Sequence, residues 1–173
     1  NFALQAALNP PKPGKQERRF GELIFREGDR VMQTRNDYDV VWQKEDGTAG
    51  TGIFNGDVGK IAKIDPSGEL LEIVFDDRTA TYTSDMLAEL DMAYAMTVHK
   101  AQGSEYRGVV FIGAPCAPSL MVRGVLYTAI TRARELLVIV GDDSAVNKMA
   151  ENDRRSRRYS GLKWRLRKGG EEK

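Results

Sequence analysis

The sequence is poor in the residues that build covalent and metal frameworks. Its 173 residues contain one cysteine, Cys116, and one histidine, His99. A single cysteine excludes a disulfide within the chain, and the two counts together exclude a zinc site built from several cysteines or from a histidine pair. We therefore expect no metal site among these residues and a reducing, cytoplasmic setting.

Two longer patterns are also missing. The apolar runs are a handful of residues long, well short of the roughly 20 that a membrane helix needs, and no secretory signal pattern opens the chain. No G-x-x-x-x-G-K-[ST] phosphate loop occurs anywhere in the sequence. Because that loop cradles nucleotide phosphates in many ATP-driven enzymes, the chain could complete such an enzyme only together with other polypeptide.

The composition fits a folded globular protein. Apolar residues make up 41% of the chain, charged residues 29%, and the formal net charge is +1. Bulk charge therefore gives no reason to expect a polyanionic partner, and only local clustering could provide one. One such cluster exists, because Arg154–Lys168 holds eight basic residues and no acid. It is either a DNA-binding arm or a solvated chain end.

A series of short runs rich in β-branched residues follows Asp29, separated by turn sequences such as Asn55-Gly56-Asp57. Five short strands in about sixty residues predict a small, curled antiparallel barrel. Either an SH3-like or an oligonucleotide-binding barrel fits, and the shortness of the strands favours the SH3-like form. The predicted strands are Arg30–Thr34, Val40–Gln43, Val58–Ile64, Leu70–Phe75 and Thr79–Thr83.

Helices and apolar strands alternate in the remaining sequence. The opening residues predict a short helix that ends before Pro10, and the pattern after Leu90 is α/β. The runs V-V-F-I and L-L-V-I-V are typical of a parallel sheet with helices on both faces. Predicted beyond Leu90 are helices over 94–101, 122–133 and 143–151 and strands over 108–113 and 136–141.

Two segments carry the chemistry, T-V-H-K-A-Q-G-S-E (Thr97–Glu105) and L-Y-T-A-I-T-R-A-R (Leu126–Arg134). In the first, Gly103 lets the backbone approach a ligand closely, and the Glu105 carboxylate can accept hydrogen bonds from ribose hydroxyls. Donors to phosphates precede them at Thr97, His99 and Lys100. Two structural alternatives stay open, since His99 could be a satisfied core histidine and Gly103 could simply end a helix.

These segments resemble motifs V and VI, the last two motor motifs of superfamily 1 helicases. With the barrel and the opening L-Q-A-A-L-N-P, they resemble the C-terminal motor domain of RecD-like helicases, which move 5′ to 3′ on DNA. The resemblance implies an α/β fold, a partial second RecA-like domain of the P-loop NTPase type with an inserted SH3-like barrel. The implied ranges are 1–27 and 89–152 for the RecA-like domain, 28–88 for the barrel and 153–173 for a basic tail.

The resemblance also implies roles. Arg132 would be a catalytic arginine finger, which supplies permanent positive charge to a γ-phosphate; alternatively, it only complements a helix dipole. Gly103 and Glu105 would share the nucleotide site with Arg132, and Thr97, His99 and Lys100 would contact single-stranded DNA. ATP and Mg²⁺ would be held mainly by an N-terminal motor domain of the same parent chain. Lacking Walker A and Walker B motifs, this piece alone is expected to be inactive.

The barrel offers a further DNA surface at Arg35, Asn36 and Tyr38, where basic and aromatic groups alternate. Alternatively, the barrel is an interaction module for a repair or recombination protein. Arg134 fits either a phosphate contact or a structural pair with an acid. The competing interpretation of the whole chain is a nucleic-acid-binding or protein-interaction module on a helicase fold that has lost its enzymatic role.

Overall fold

The computed structural model describes residues 1–154, so most of the predicted basic tail lies outside the described residues. The chain divides into two compact units, residues 1–104 and residues 105–173. No helix in the described part of the chain has the length and apolarity that crossing a membrane requires.

The first unit begins with a helix and a hairpin. Helix α1 (Phe2–Leu8) is followed by strands β1 (Glu17–Phe20) and β2 (Leu23–Arg26), which pair antiparallel around Gly21 and Glu22. The mixed, charged sequence of residues 15–27 gives no clear strand pattern, so this hairpin was not predicted. Its one fully buried apolar side chain, Phe25, belongs to the core of the unit.

A seven-stranded sheet forms the body of the first unit. The strand order is β5-β4-β8-β7-β6-β3-β9, and every pairing is antiparallel. A short 3₁₀ helix, Met86–Glu89, precedes the last strand. The strands are β3 (Arg30–Gln33), β4 (Asp37–Gln43), β5 (Ala49–Ile53), β6 (Val58–Ile64), β7 (Leu70–Phe75), β8 (Arg78–Thr83) and β9 (Leu90–Met92).

The buried core runs along the inner face of this sheet. Ile61, Leu71, Ile73 and Tyr82 have no exposed surface, and they alternate with exposed residues along β6, β7 and β8. This alternation has the period of two that a half-buried strand requires. These strands are predicted from their β-branched residues and the turns between them, and the bounds of β6 and β7 are as predicted.

The second unit contains a βαβ crossover. Strands β10 (Tyr106–Gly113) and β11 (Ala133–Gly141) pair in parallel and are joined through helix α2 (Arg123–Ile130). Helix α3 (Asp143–Glu151) follows, and the Asp142 carboxylate caps it by accepting from the Ser144 amide at 2.8 Å. The predicted range of α3 is confirmed.

Two helices predicted beyond Leu90 are wrong. The helix predicted over 122–133 ends at Ile130, because Ala133 already pairs with Tyr106 in the parallel sheet. The helix predicted over 94–101 is a series of turns. Helices on both faces of the parallel strands stay a prediction, since Val110 on β10 is 65% exposed and Leu136 on β11 is 59% exposed.

Candidate functional site

The segment Thr97–Ser104 forms turns that end the first unit. The Ala101 amide donates to the Thr97 carbonyl at 3.1 Å, and the Gln102 amide donates to the His99 carbonyl at 3.2 Å. Gly103 follows with a φ of +86°, which favours glycine and prevents the turns from continuing as a helix. The sequence signal for this interruption is Gly103 itself.

The predicted phosphate donors of this segment are solvent-exposed. Thr97, His99 and Lys100 all lie at the surface, so the interpretation of His99 as a core histidine is wrong. The Lys100 ammonium pairs with the Asp91 carboxylate at 3.1 Å, and the Thr97 hydroxyl oxygen accepts from the Lys100 amide at 3.3 Å. Lys100 is therefore positioned by contacts that a stronger anion could replace.

The barrel residues predicted to contact DNA lie on the β3–β4 loop and the start of β4. Arg35, Asn36 and Tyr38 are exposed, and the Asn36 side-chain oxygen accepts from the Asn55 amide at 3.0 Å. The Tyr38 ring meets the Phe54 ring edge-on, with centroids 5.5 Å apart. Phe54 is 40% exposed, and sequence analysis missed it because it precedes a turn instead of lying in a basic and aromatic run.

The two predicted DNA-contact groups are joined through the Asn55-Gly56 turn. Asn55 is hydrogen-bonded to Asn36 on one side. On the other, a β-carbon built on Gly56 would lie 3.9 Å from the Lys100 carbonyl oxygen. The Asn55-Gly56-Asp57 sequence is the turn that the composition predicts, and it places the loop of Arg35 and Asn36 beside the segment of His99 and Lys100.

In the second unit, the end of the first motif meets the end of the second. The Tyr106 amide donates to the Arg132 carbonyl at 2.8 Å, and Arg134 Nε lies 3.2 Å from Glu105 Oε2. The contact occurs at the start of β10 and β11, where Tyr106 pairs with Ala133. Arg134 was predicted either to contact a phosphate or to pair with an acid. In the structure it pairs with an acid, and that acid is Glu105, the predicted ribose ligand.

Arg132 lies just beyond the C-terminus of α2 and is half-buried. Its Nε donates to the Thr128 carbonyl at 3.1 Å, and its Nη2 donates to the Thr131 hydroxyl at 3.2 Å. The Thr128 carbonyl also accepts from the Thr131 hydroxyl at 3.2 Å, and the guanidinium complements the negative end of the helix dipole. The guanidinium is thus at the surface of the unit, folded against its own helix.

Comparisons with known proteins match both units. A family model described as the SH3 domain of ATP-dependent RecD-like DNA helicases matches residues 1–75, and a model described as the UvrD-like helicase C-terminal domain matches residues 92–140. An ATP-dependent RecD2 DNA helicase from Deinococcus radiodurans is 36% identical over 157 residues, which cover 91% of this chain and 20% of that protein.

The chain belongs to the RecD-like helicases. Proteins named RecBCD enzyme subunit RecD from Mycolicibacterium smegmatis and Mycobacterium tuberculosis are each 32% identical over 143 residues, or 83% of this chain, and the match covers 23% and 22% of those proteins. The chain therefore spans about a fifth of the length of these relatives. The preference for an SH3-like barrel over an oligonucleotide-binding one is confirmed.

A buried carboxylate holds this RecD-like SH3 domain to the opening helix. Asp29 has no exposed surface, and one of its oxygens accepts from Gln5 Nε2 at 2.6 Å and from the Arg26 amide at 2.8 Å. The other accepts from Asn9 Nδ2 at 2.6 Å and from the Tyr94 hydroxyl at 2.7 Å. One side chain thus joins α1, β2 and the segment that leads into the first motif.

The network around Asp29 is not evident in the sequence. Gln5 and Asn9 are buried, although an amide on a short helix is ordinarily solvated, and the only signal is their spacing of one helical turn. Burial, together with the hydrogen bond to Asp29 and the charge of that carboxylate, raises the pKa of Tyr94 to about 12. Tyr94 therefore remains a hydrogen-bond donor throughout the neutral range.

Proposed function

We propose that this chain is the C-terminal motor portion of an ATP-dependent DNA helicase. It supplies motif V and the motif VI arginine finger to an ATP site that the N-terminal motor domain of the parent chain completes. The observation that carries the proposal is the meeting of the two motifs, through the Arg134–Glu105 ion pair and the hydrogen bond from Tyr106 to Arg132. A nucleotide placed beside one motif would then also be beside the other.

In this proposal β10, α2 and β11 belong to a RecA-like sheet. Their parallel pairing through a helical crossover supports that assignment, because this is the repeating unit of such folds. The exposed apolar side chains of β11 support it too, since such strands are normally covered on both faces. The sequence-derived ranges, 1–27 and 89–152 for this domain and 28–88 for the barrel, are retained as part of the proposal.

The proposed nucleotide contacts divide between the two ends of ATP. Glu105 accepts from the ribose hydroxyls, and Gly103 allows its backbone to approach the nucleotide. Arg132 stabilises the charge that develops on the γ-phosphate, which requires its guanidinium to leave the Thr128 carbonyl and turn toward the partner domain. Mg²⁺ would be held mainly by the N-terminal motor domain of the parent chain.

The proposed DNA surface consists of the exposed residues around the Asn55-Gly56 turn. Thr97, His99 and Lys100 contact phosphates, with Arg35 and Asn36 beside them. Tyr38, 66% exposed and braced by Phe54, offers a face on which a base can stack, and stacking on aromatic rings tolerates any sequence. The names of the RecBCD subunits raise the further proposal of a recombination or repair complex as partner.

The test is Arg132→Ala in a parent chain that includes the N-terminal motor domain. We expect DNA-stimulated ATP hydrolysis to fall by about 10³ to 10⁵, the usual contribution of an arginine finger, while affinity for single-stranded DNA stays within about twofold. Arg107→Ala is the matched control, because Arg107 is an exposed arginine of the same unit that pairs with Glu135 at 3.0 Å.

One observation favours the non-enzymatic alternative, namely that Arg132 is already engaged with Thr128 and Thr131. A purely structural arginine would be placed in the same way. The same experiment separates the two roles of Arg132, because unchanged ATP hydrolysis in Arg132→Ala would refute the finger assignment and leave a structural arginine. A loss of ATP hydrolysis that Arg132→Lys does not restore supports the finger, since lysine lacks the planar donor fork.

A further inference from the structure

A cavity of about 640 Å³ in the first unit is lined by three cationic side chains and by no carboxylate. The cations are Lys15, Arg30 and Lys60, and they surround a floor that includes Gly28 and Gly59. The chain as a whole carries 26 basic and 25 acidic residues. The excess of positive charge is therefore local to this cavity. The residues assigned roles in the proposed function are not part of its lining.

Two of the cations face each other across the sheet. Arg30 on β3 is directly opposite Lys60 on β6 in the antiparallel register, and like charges in this position destabilise a strand pair. Within residues 1–154, no ion pair includes Lys15, Arg30 or Lys60. The repulsion between Arg30 and Lys60 does not stabilise the fold. An anion bound between the two side chains would offset it.

Nearby carboxylates do not neutralise the cavity. Asp91 on β9 is paired with Lys100 at 3.1 Å. Glu72, two residues before Val74 on β7, lines a different cavity beside Trp42. Asp29 has no exposed surface and accepts four hydrogen bonds from protein groups. Asp29 keeps its negative charge because its four donors are neutral groups, but the three cations outnumber it, so the surroundings of the cavity keep a net positive charge.

The third cation is held in place by the buried network. The Lys15 ammonium donates to Asn9 Oδ1, and the amide nitrogen of Asn9 donates to Asp29 at 2.6 Å. A β-carbon built on Gly28 would lie 3.7 Å from the Lys15 ammonium, so glycine leaves this side of the cavity open. A preorganised cation binds an anion with less loss of side-chain entropy than a free surface lysine.

We propose that this cavity binds backbone phosphates of a nucleic-acid strand through Lys15, Arg30 and Lys60. Lysine and arginine are the side chains that contact phosphates. The single aromatic residue of the lining, Tyr94, directs its hydroxyl to Asp29, and no carboxylate is present to hold a magnesium ion. The cavity can therefore take phosphate charge, but it offers little to recognise a base or a metal-bound nucleotide.

The test measures binding of a fluorescent single-stranded oligonucleotide to the 173-residue chain over a range of salt concentrations. On single strands each lost phosphate contact makes the slope of log K against log salt shallower by roughly 0.7, so the double variant Arg30→Gln, Lys60→Gln should be shallower by about 1.4. Arg30→Lys keeps the charge and should keep the slope. Lys63→Gln is the matched control, since Lys63 is an exposed lysine on β6 outside the cavity.

Thermal unfolding of the same variants distinguishes loss of the site from loss of the fold. Because removal of either opposed charge relieves repulsion, the double variant should melt at the same or a higher temperature while binding the oligonucleotide less tightly. A slope equal to that of the unsubstituted chain, or an equal change in Lys63→Gln, would overturn the proposal.

The cavity could instead bind a free phosphate anion, and adding inorganic phosphate at matched ionic strength tests this alternative. If phosphate raises the melting temperature only when Arg30 and Lys60 are intact, and the oligonucleotide slope is unchanged by the double variant, the cavity is a free-anion site and the strand proposal is wrong. Failure of the Arg132 experiment would leave this result unaffected, because the readout here is DNA affinity and not ATP hydrolysis.

Discussion

Asp29 is the residue on which the attachment of α1 to the barrel depends most. Its two oxygens accept four hydrogen bonds, all of them from protein donors. In Asp29→Asn one oxygen becomes an amide that donates, and it would face two donors of the same kind. We expect the free energy of unfolding of the first unit to fall by about 3 kcal/mol, since buried donors lose a charged acceptor.

Urea unfolding followed by circular dichroism, together with hydrogen exchange of the α1 amides, measures this change. Asp39→Asn is the control, because Asp39 is exposed on β4 and its substitution should change stability by less than about 0.5 kcal/mol. Equal stability of the two variants, or α1 amides that exchange no faster in Asp29→Asn, would contradict the assigned role of the network.

Tyr94 makes the stability of the first unit sensitive to alkaline pH. The fold raises its pKa from its ordinary value to about 12, chiefly through burial and then through Asp29. The protonated form is therefore favoured in the folded state. Its contribution is complete below the unfolded pKa of about 10 and is lost as the pH rises from there to about 12. Burial raises the pKa of Tyr82 as well, so both residues contribute to the loss.

Urea midpoints measured at intervals above neutral pH should show this decline. In Tyr94→Phe the decline should be smaller, because one of the two titrating phenols is gone, and the midpoint at neutral pH should be lower, because the hydrogen bond to Asp29 is lost. Tyr127→Phe removes an exposed tyrosine from α2 and should leave the profile unchanged. Identical profiles for the Tyr94 and Tyr127 variants would refute the linkage.

Among the elements, the parallel pair of β10 and β11 depends on glycine at its last position. Gly141 has a φ of +138° and pairs with Gly113, and a β-carbon at Gly141 would overlap the Gly113 carbonyl. Gly141→Ala is therefore expected to destabilise the second unit by about 3 kcal/mol through strain and backbone overlap. Hydrogen exchange of the β10 and β11 amides reports the loss locally.

A matched substitution lies on the same strand pair. At Gly108 on β10 an added β-carbon would meet Leu136 at 3.9 Å, an ordinary contact. Gly108→Ala should therefore leave exchange unchanged or slow it, because alanine restricts the unfolded chain. If both alanines accelerate exchange equally, the effect is one of glycine content and not of the close approach at Gly141.

Elements with a clear apolar period are predictable from the sequence, and those shaped by packing are not. Strands β6 and β7 have the bounds predicted for them, although a register shift between Ile61 and Lys63 interrupts the alternation of β6. Strand β5 was missed because Gly50 and Gly52 weaken its signal, yet the structure needs them, since added β-carbons there would overlap the rings of Trp42 and Phe54. A cross-strand aromatic neighbour is not visible in a local window of sequence.

The candidate site residues also fall into two classes, those suggested by local sequence and those that depend on contacts between distant segments. The motif strings identify Thr97, His99, Lys100 and Arg132 by chemistry, and their exposure or position at a helix end follows from local structure. The network around Asp29 joins residues up to 65 positions apart. The facing cations Arg30 and Lys60 likewise depend on strand register, which is set by pairing between distant segments.

At the scale of the whole molecule, positive and negative charges nearly cancel, so any affinity for DNA depends on local clusters of basic residues. The net charge of +1 provides almost no general attraction for a polyanion, so salt-dependent binding must come from local groups. The groups proposed for this role are the surface around Lys100, the cavity of Arg30 and Lys60, and the run Arg154–Lys168. The first two lie in the first unit, and the third lies mainly outside the described residues.

Truncation of residues 154–173 tests the third cluster against the other two. The segment Arg154–Lys168 carries eight basic residues, so at roughly 0.7 per phosphate contact its removal could make the salt slope shallower by up to about 6 on a single strand. We expect a decrease larger than that of the double cavity variant, because more charge is removed.

Combining truncation with the cavity variant should give the sum of the two decreases if the clusters contact different phosphates. A slope unchanged by truncation would identify the tail as a solvated chain end, and a combined decrease smaller than the sum would mean that both clusters compete for the same stretch of strand.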